Sequence, residues 1–386
     1  MTIGTLPTET ISKIVRVAVS DAVKTKDKIV TAHICRYIST IAYPIVFATT
    51  VFRASACGAC FTAGETFFFY DKTTPKAGER AIPLVRRLVF TGEIKDEGEK
   101  NAYDSHVLLG KVLSICSRFP NLTAVELEHM TCTALPFPQG LYPATIVLEN
   151  VTDLTIDVYD TRDATKALTC FTQAFPNVDR LHVRTTRIMS PTDWAGIEPL
   201  LGHLEMFPKR LHIGRITDDR IVYANAIIEA ASATVEEITL FLSPTHPQVY
   251  ESNQETHLSL LGADHLTTLN VIIPYSPIPL RAESKAVTRS LLPMLMTCPE
   301  SLRDVVITIF TRPRTLEALT RALASLPAKS ICARLEASCT SLNSVTFQLN
   351  VAANKAGCTG EEVWKDLYEQ FPMWFPTVPD FAILYE

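Results

Sequence analysis

One pattern recurs along this chain and limits its fold more than any other feature: apolar, two other residues, apolar, one other, apolar. It first appears as Val85, Leu88 and Phe90, then as Leu122, Val125, Leu127 and as Val151, Leu154, Ile156. It returns at Val178, Leu181, Val183, and in a variant at Pro208, Leu211, Ile213. Four more copies follow: Val235, Ile238, Leu240; Leu266, Leu269, Val271; Leu302, Val305, Ile307; and Leu342, Val345, Phe347. Successive copies start at positions 85, 122, 151, 178, 208, 235, 266, 302 and 342, so they are 27 to 40 residues apart. The last three residues of each copy alternate apolar, variable, apolar, which is strand periodicity with one buried face.

Helical spacing fills the intervals. Leu108, Leu109, Val112, Leu113 and Cys116 fit one helix face, and Ala164, Leu168, Phe171 and Phe175 fit another. Helices are also expected over Asp219 to Ala231, Leu316 to Leu326 and Ile331 to Cys339. Two helices run into Phe-Pro-Asn, at Phe119 to Asn121 and Phe175 to Asn177, where proline cannot continue the helix. An ordinary open α/β sheet would also alternate strand and helix, but nine copies exceed its usual strand number. One strand and one helical segment per copy describes a repeat solenoid.

The repeats resemble leucine-rich repeats of the long, irregular kind found in ribonuclease-inhibitor-like horseshoes. Two departures stand out. Some spacings exceed the usual 20–29 residues. The asparagine expected three residues after the third apolar position occurs only at Asn350, with Met130, Tyr159 and Thr186 in its place elsewhere.

The first fifty residues have a different character. Pro7 suits a first helical turn, and Ile11, Ile14, Val15 and Ala18 follow at helical spacing. After Lys24 to Lys28, a second apolar face runs through Ile34, Ile38, Ile41, Ala42 and Ile45, interrupted by Pro44. Leu6-Pro7-Thr8-Glu9-Thr10-Ile11 with Ile14, then Ile34-Cys35-Arg36-Tyr37, then Ala42-Tyr43-Pro44-Ile45-Val46-Phe47 resemble the F-box, in the form seen in fungal F-box-like proteins. The tryptophan usual near Ile38 is missing and Thr10 stands at an aliphatic position. The resemblance implies a helical module over 1–52, a connecting segment over 53–80 and a degenerate leucine-rich-repeat domain over 81–386. The implied fold class is therefore mixed: α in the module, and α/β with parallel strands in the solenoid.

Function follows from that layout as an expectation. The resemblance implies that Leu6, Pro7, Glu9, Ile11, Ile14, Ile34, Cys35 and Arg36 dock on a Skp-type adaptor, and through it on a cullin. The repeats would capture a substrate protein for ubiquitin-dependent degradation, with no catalysis and no cofactor in this chain. Two alternatives remain open: a repeat scaffold that binds proteins without a ligase, and a thiol oxidoreductase using Cys57 and Cys60. The second needs its first cysteine at a helix start after a strand, and the context of Cys57-Gly58-Ala59-Cys60 does not supply one.

In a horseshoe, residues between the apolar strand positions face the concave side. Glu126, Glu128, Asp153 and Asp157 mark acidic strands there; Arg180, His182 and Arg184, with Arg187 nearby, mark a basic one. Arg210 and His212 follow with Arg215 nearby, then Glu237, Thr239, Phe241, Thr268 and Asn270. His182 and His212 share one repeat position and should be neighbours. Arg180, His182, Arg184, Arg210 and His212 are the candidate substrate-binding residues, because arginine forks pair with carboxylates and phosphates. Two histidines do not make a metal site.

Composition narrows the function classes. Formal charge is −5, which disfavours a mainly electrostatic nucleic-acid binder. No run of about 18 apolar residues offers a membrane span. Pro7 and Glu9 stand where a signal peptide needs a basic start, so an intracellular (cytoplasmic or nuclear) location is expected. Ten cysteines then read as reduced thiols, and Cys332 and Cys339, seven apart on a helix, as core. The sequons at Asn121 and Asn150 carry no meaning without secretion. No zincin, serine-hydrolase elbow or P-loop motif occurs. Trp364, Phe371, Trp374, Phe375 and Phe381 read as a seal on the last repeat.

Overall fold

The computed structural model describes residues 13, 44–54, 80–92, 106–133, 146–158, 161–185, 206–217, 220–242, 257–275, 291–311 and 328–351. The proposed adaptor-binding residues of the N-terminal module, the Cys57 and Cys60 pair, Arg187, the helix expected over Leu316 to Leu326 and the late aromatics all lie outside them. The chain divides into two compact units: Met1–Tyr159 with Lys166–Val178, and Asp160–Thr165 with Asp179–Glu386.

The first unit is built on β1 (Thr49–Arg53), β2 (Arg87–Thr91), β4 (Ala124–Thr133) and β5 (Asp153–Val158), parallel and adjacent in that order. A short β3 (His106–Leu108) pairs with the far end of β4 and leads directly into α1 (Leu109–Cys116). The second unit stacks β6 (Arg180–Thr185), β7 (Arg210–Ile216), β8 (Glu237–Leu242), β9 (Thr268–Tyr275), β10 (Asp304–Thr311) and β11 (Ser344–Val351), again parallel and in chain order. α3 (Ile221–Ala231) follows β7, and α4 (Ala328–Ser338) precedes β11. Between the last strand of the first group and the first of the second runs α2 (Thr161–Ala174).

Each of the nine sequence copies carries a strand, and the copies pair in phase. In the first unit Leu88 is opposite Val125, which is opposite Leu154; Phe90, Leu127 and Ile156 form the next row. In the second, Leu181, Leu211, Ile238, Leu269, Val305 and Val345 form one row, and Val183, Ile213, Leu240, Val271, Ile307 and Phe347 the other. The described side chains in these rows are buried. Burying an aliphatic side chain this completely contributes about 1.5–3 kcal/mol, so the rows dominate cohesion between copies.

A second repeating contact fixes where each strand begins. The carbonyl of one residue accepts two successive N–H groups from the next copy. Ala48 receives Arg86 and Arg87, Arg86 receives Thr123 and Ala124, and Thr123 receives Thr152 and Asp153. In the second unit Asp179, Lys209, Glu236, Thr267 and Arg303 do the same for the copies that follow them, at 2.7 to 3.1 Å. The equivalence of Ala48 with Arg86 makes Phe47, Thr50 and Phe52 a tenth copy. β1 is its strand: Thr50 is opposite Leu88, and Phe52 is opposite Phe90, with ring centroids 5.4 Å apart. Sequence periodicity missed it because threonine stands at the middle apolar position, and β1 straddles residue 52, where the N-terminal module was expected to end.

Helices bury the faces that spacing indicated. Leu109, Val112, Leu113 and Cys116 of α1 are buried, as are Ala164, Leu168 and Phe171 of α2 and the following Phe175. α2 stops at Ala174, immediately before Phe175-Pro176-Asn177. α3 starts two residues later than expected, at Ile221, and α4 ends at Ser338, leaving buried Cys339 just beyond it.

The missing asparagines have a structural counterpart at the opposite end of the strands. The asparagine of each Phe-Pro-Asn, and its relative Asn150, precedes the first apolar position and reaches back one copy. Asn121 donates to the Pro83 carbonyl at 2.8 Å, Asn150 to Pro120 at 3.2 Å and Asn177 to Glu149 at 2.9 Å. Beyond the third apolar position, the place usually given to asparagine is instead brought into the core in two copies. There Met130 and Ile216 are buried, each after a register shift and a residue of positive φ, His129 at 53° and Arg215 at 54°. These are β-bulges at one repeat position, and they turn the extra residue inward.

Candidate functional site

In a strand whose apolar residues face the core, the intervening side chains form the other face. Across the second unit that face is a grid of three rows. Arg180, Arg210, Glu237, Thr268, Asp304 and Ser344 make the first; His182, His212, Thr239, Asn270, Val306 and Thr346 the second. The third runs from Arg184 and Gly214, through Phe241 and Ile272, to Thr308 and Gln348.

The basic end of this grid contains all five predicted substrate-binding residues. Arg180 and Arg210 are exposed, whereas His182, Arg184 and His212 are half-buried. The two imidazoles meet with ring centroids 4.1 Å apart and planes tilted by 48°. Burial first, then the neighbouring His212 and Arg184, hold His182 down at about 4, well below its ordinary value. Burial and then Arg184 lower His212 as well. Both rings are thus neutral at neutral pH, and this part of the face is less cationic than the sequence suggests. His182 Nε2 is buried with no hydrogen-bond partner among the described residues.

The arginines are held by specific features. Arg210 pairs with Asp179, a residue of the preceding copy. Arg184 lies across Gly214: a Cβ there would stand 3.1 Å from Arg184 Cγ. Glycine at this register point lets the long side chain cross from β6 over β7. Below the bulge at Arg215, the buried guanidinium of Arg220 donates through Nη1 to the carbonyls of Thr185 at 2.5 Å and Arg215 at 3.1 Å. That second arginine layer, contributed by the start of α3, was not anticipated; only its place immediately before a helical apolar face signals it.

The rest of the grid is polar and internally bonded. Asn270 Nδ2 donates to Glu237 Oε1 at 2.9 Å and to Thr239 Oγ1 at 3.3 Å. Thr308 Oγ1 donates to Gln348 Oε1 at 3.1 Å, and Ser344 Oγ to Asp304 Oδ1 at 2.7 Å. Such side-chain ladders hold the face in one arrangement and leave backbone-fixed rows for a ligand to read.

In the first unit the acidic strands are less exposed than expected. Glu126 and Asp157 are buried, and Glu126 pairs with Arg87. Burial nevertheless pushes the Glu126 carboxyl up, against the pull of Arg87. Among the described residues, no group of three or more His, Cys, Asp or Glu is placed to hold a metal ion, and no helix is long and apolar enough to cross a membrane.

No family model matches the chain, and no curated protein matches its sequence. Among solved structures, an internalin from Listeria monocytogenes is similar over 90% of this chain and 87% of that one, at 12% identity and a TM-score of 0.28. The leucine-rich-repeat-like architecture rests on the in-register parallel copies of this chain itself.

Proposed function

We propose that this chain is a non-catalytic repeat scaffold that binds a partner protein on the strand face of β6 to β11, and that it selects substrates for a cullin-type ubiquitin ligase. The observation that carries the scaffold reading is the grid: six parallel strands presenting three ordered rows of polar, basic and apolar side chains. Such a face recognises a protein segment through many small contacts. The ligase role is supported by the F-box resemblance of Leu6, Pro7, Glu9, Ile11, Ile14, Ile34, Cys35 and Arg36. In that role the module docks a helix face on a Skp-type adaptor, and the repeats hold the substrate near enzymes that act on it.

The deciding experiment is binding of the full chain to a Skp-type adaptor, beside a variant carrying Leu6→Ala, Pro7→Ala and Ile11→Ala. Binding by the wild type that is lost in the still-folded variant supports the ligase role. No wild-type binding removes that role and leaves the scaffold. Capture by the strand face is tested separately with Arg180→Ala and Arg210→Ala: unchanged retention of an identified partner removes these arginines from the surface.

A further inference from the structure

Cys298 and Cys339 occupy matching turns in successive copies, five or six residues before the paired residues Asp304 and Ser344. The same turn holds Phe119 and Phe175 in earlier copies, and all four side chains are buried. Neighbouring parallel copies stand about 5 Å apart, and an offset of one residue between the two turns lengthens this to roughly 6 Å. That lies within the roughly 4.4–6.8 Å separation of Cα atoms that a disulfide spans. Neither cysteine is in a disulfide, and their side chains lie close enough to influence each other's ionisation. Cys298 Sγ donates to the Met294 carbonyl at 4.0 Å, which fixes its rotamer.

The two thiols are unequal. The neighbouring Cys298 side chain lowers the Cys339 thiol from its ordinary value. Burial pushes the Cys116 and Cys170 thiols the other way. Cys339 is thus shifted towards its thiolate, the form that attacks a disulfide, and Cys298 is the thiol beside it.

We propose that Cys298 and Cys339 form a reversible disulfide that clamps the β10 and β11 copies together. The oxidant is a low-molecular-weight disulfide such as oxidised glutathione. On opening of the turn after α4, the Cys339 thiolate attacks one sulfur, the oxidant's S–S bond breaks and one thiolate leaves. Cys298 passes its proton to that leaving group and attacks Cys339 Sγ, releasing the second thiol. Two cysteine thiols are oxidised to one disulfide, and the oxidant is reduced to two thiols. The positions differ by 41 residues, so the bond closes a long loop in the unfolded chain. Loop-closure entropy then lowers the unfolded population of these copies by roughly several hundredfold.

The test incubates the native full chain with oxidised glutathione, quenches in acid, alkylates free thiols and maps disulfide-linked peptides. The Cys298–Cys339 linked peptide should be the main product, should vanish with dithiothreitol, and should accompany slower proteolysis of the C-terminal copies. Cys298→Ser and Cys339→Ser should each abolish that peptide, and oxidised glutathione should leave the melting of either variant unchanged. Absence of the peptide from the native protein overturns the clamp. So does its appearance only in denaturant, or only as one among scattered pairings.

Discussion

The imidazole of His182 sits against that of His212 with ring centroids 4.1 Å apart, because β6 and β7 pair in exact repeat phase. Half-burial beside Arg184 keeps both rings neutral, and this makes the fold sensitive to acid. His182 titrates at about 4 in the folded chain, below its unfolded value of 6.5. The unfolded chain therefore binds more protons between these values. The stabilisation is complete above the unfolded value and is lost as pH falls towards 4. A shift of this size corresponds to roughly 3 kcal/mol, most of it lost by about pH 4.5. His182→Gln should flatten that dependence: denaturant unfolding at about pH 7 and about pH 4.5 should show wild type losing roughly 2 kcal/mol more than the variant. Glu126 works in the opposite sense, since burial raises its carboxyl, so the comparison with His182→Gln isolates the imidazole. Equal losses in both proteins would remove the histidine pair as an acid-sensitive element.

Asn121, Asn150 and Asn177 make one contact three times, each to a carbonyl of the preceding copy. These bonds are exposed, so water replaces part of what a truncation removes. Each Asn→Ala change should cost about 0.5–1.5 kcal/mol in denaturant unfolding. Asn121 and Asn177 share no partner, so their double variant should lose the sum within about 0.5 kcal/mol. A single variant that costs nothing would reduce the ladder to a geometric coincidence.

The bulge of β7 places a positive φ on Arg215, where glycine carries no Cβ penalty. Arg215→Gly should be neutral or stabilising by up to about 1 kcal/mol, whereas Arg215→Val should destabilise by more than that. Arg220, buried and donating to both Thr185 and Arg215 carbonyls, should be far less tolerant. Arg220→Met leaves two carbonyls without that donor and should cost about 2–4 kcal/mol in thermal or denaturant unfolding. If Arg220→Met melts like wild type, the guanidinium does not hold the bulge.

Most of this architecture was legible because a period-two pattern repeated nine times leaves little freedom in strand placement. The pairing of His182 with His212 was legible for the same reason: residues at one phase of neighbouring copies must meet. Features set by contacts between copies were not. Asp179 neutralises Arg210 from a position outside its own strand, and Cys298 meets Cys339 from turns whose spacing differs by one residue. The buried places of Met130 and Ile216 depend on bulges, for which a lone Gly214 before Arg215 is a faint signal. Glu126 and Asp157 read as exposed acid because alternation gives the face of a residue and not the depth to which its neighbours cover it.

The tenth copy shows what one substitution can hide. Thr50 stands opposite Leu88, between Phe47 and the buried Phe52, in a row that is otherwise aliphatic. Thr50 is only 9% exposed, so the position buries a hydroxyl where the other copies place an aliphatic side chain. Thr50→Val keeps the β-branched shape and adds apolar surface to the row formed with Leu88, Val125 and Leu154. It should stabilise the first unit by about 0.5–1 kcal/mol in denaturant unfolding. Thr50→Asp should instead lose several kcal/mol, because burying an unpaired carboxylate in a row of aliphatic side chains has no compensating partner. If Thr50→Val weakens the protein, the hydroxyl takes part in the pairing of β1, and Phe47, Thr50 and Phe52 form a polar cap on the array and not a tenth copy of its repeat.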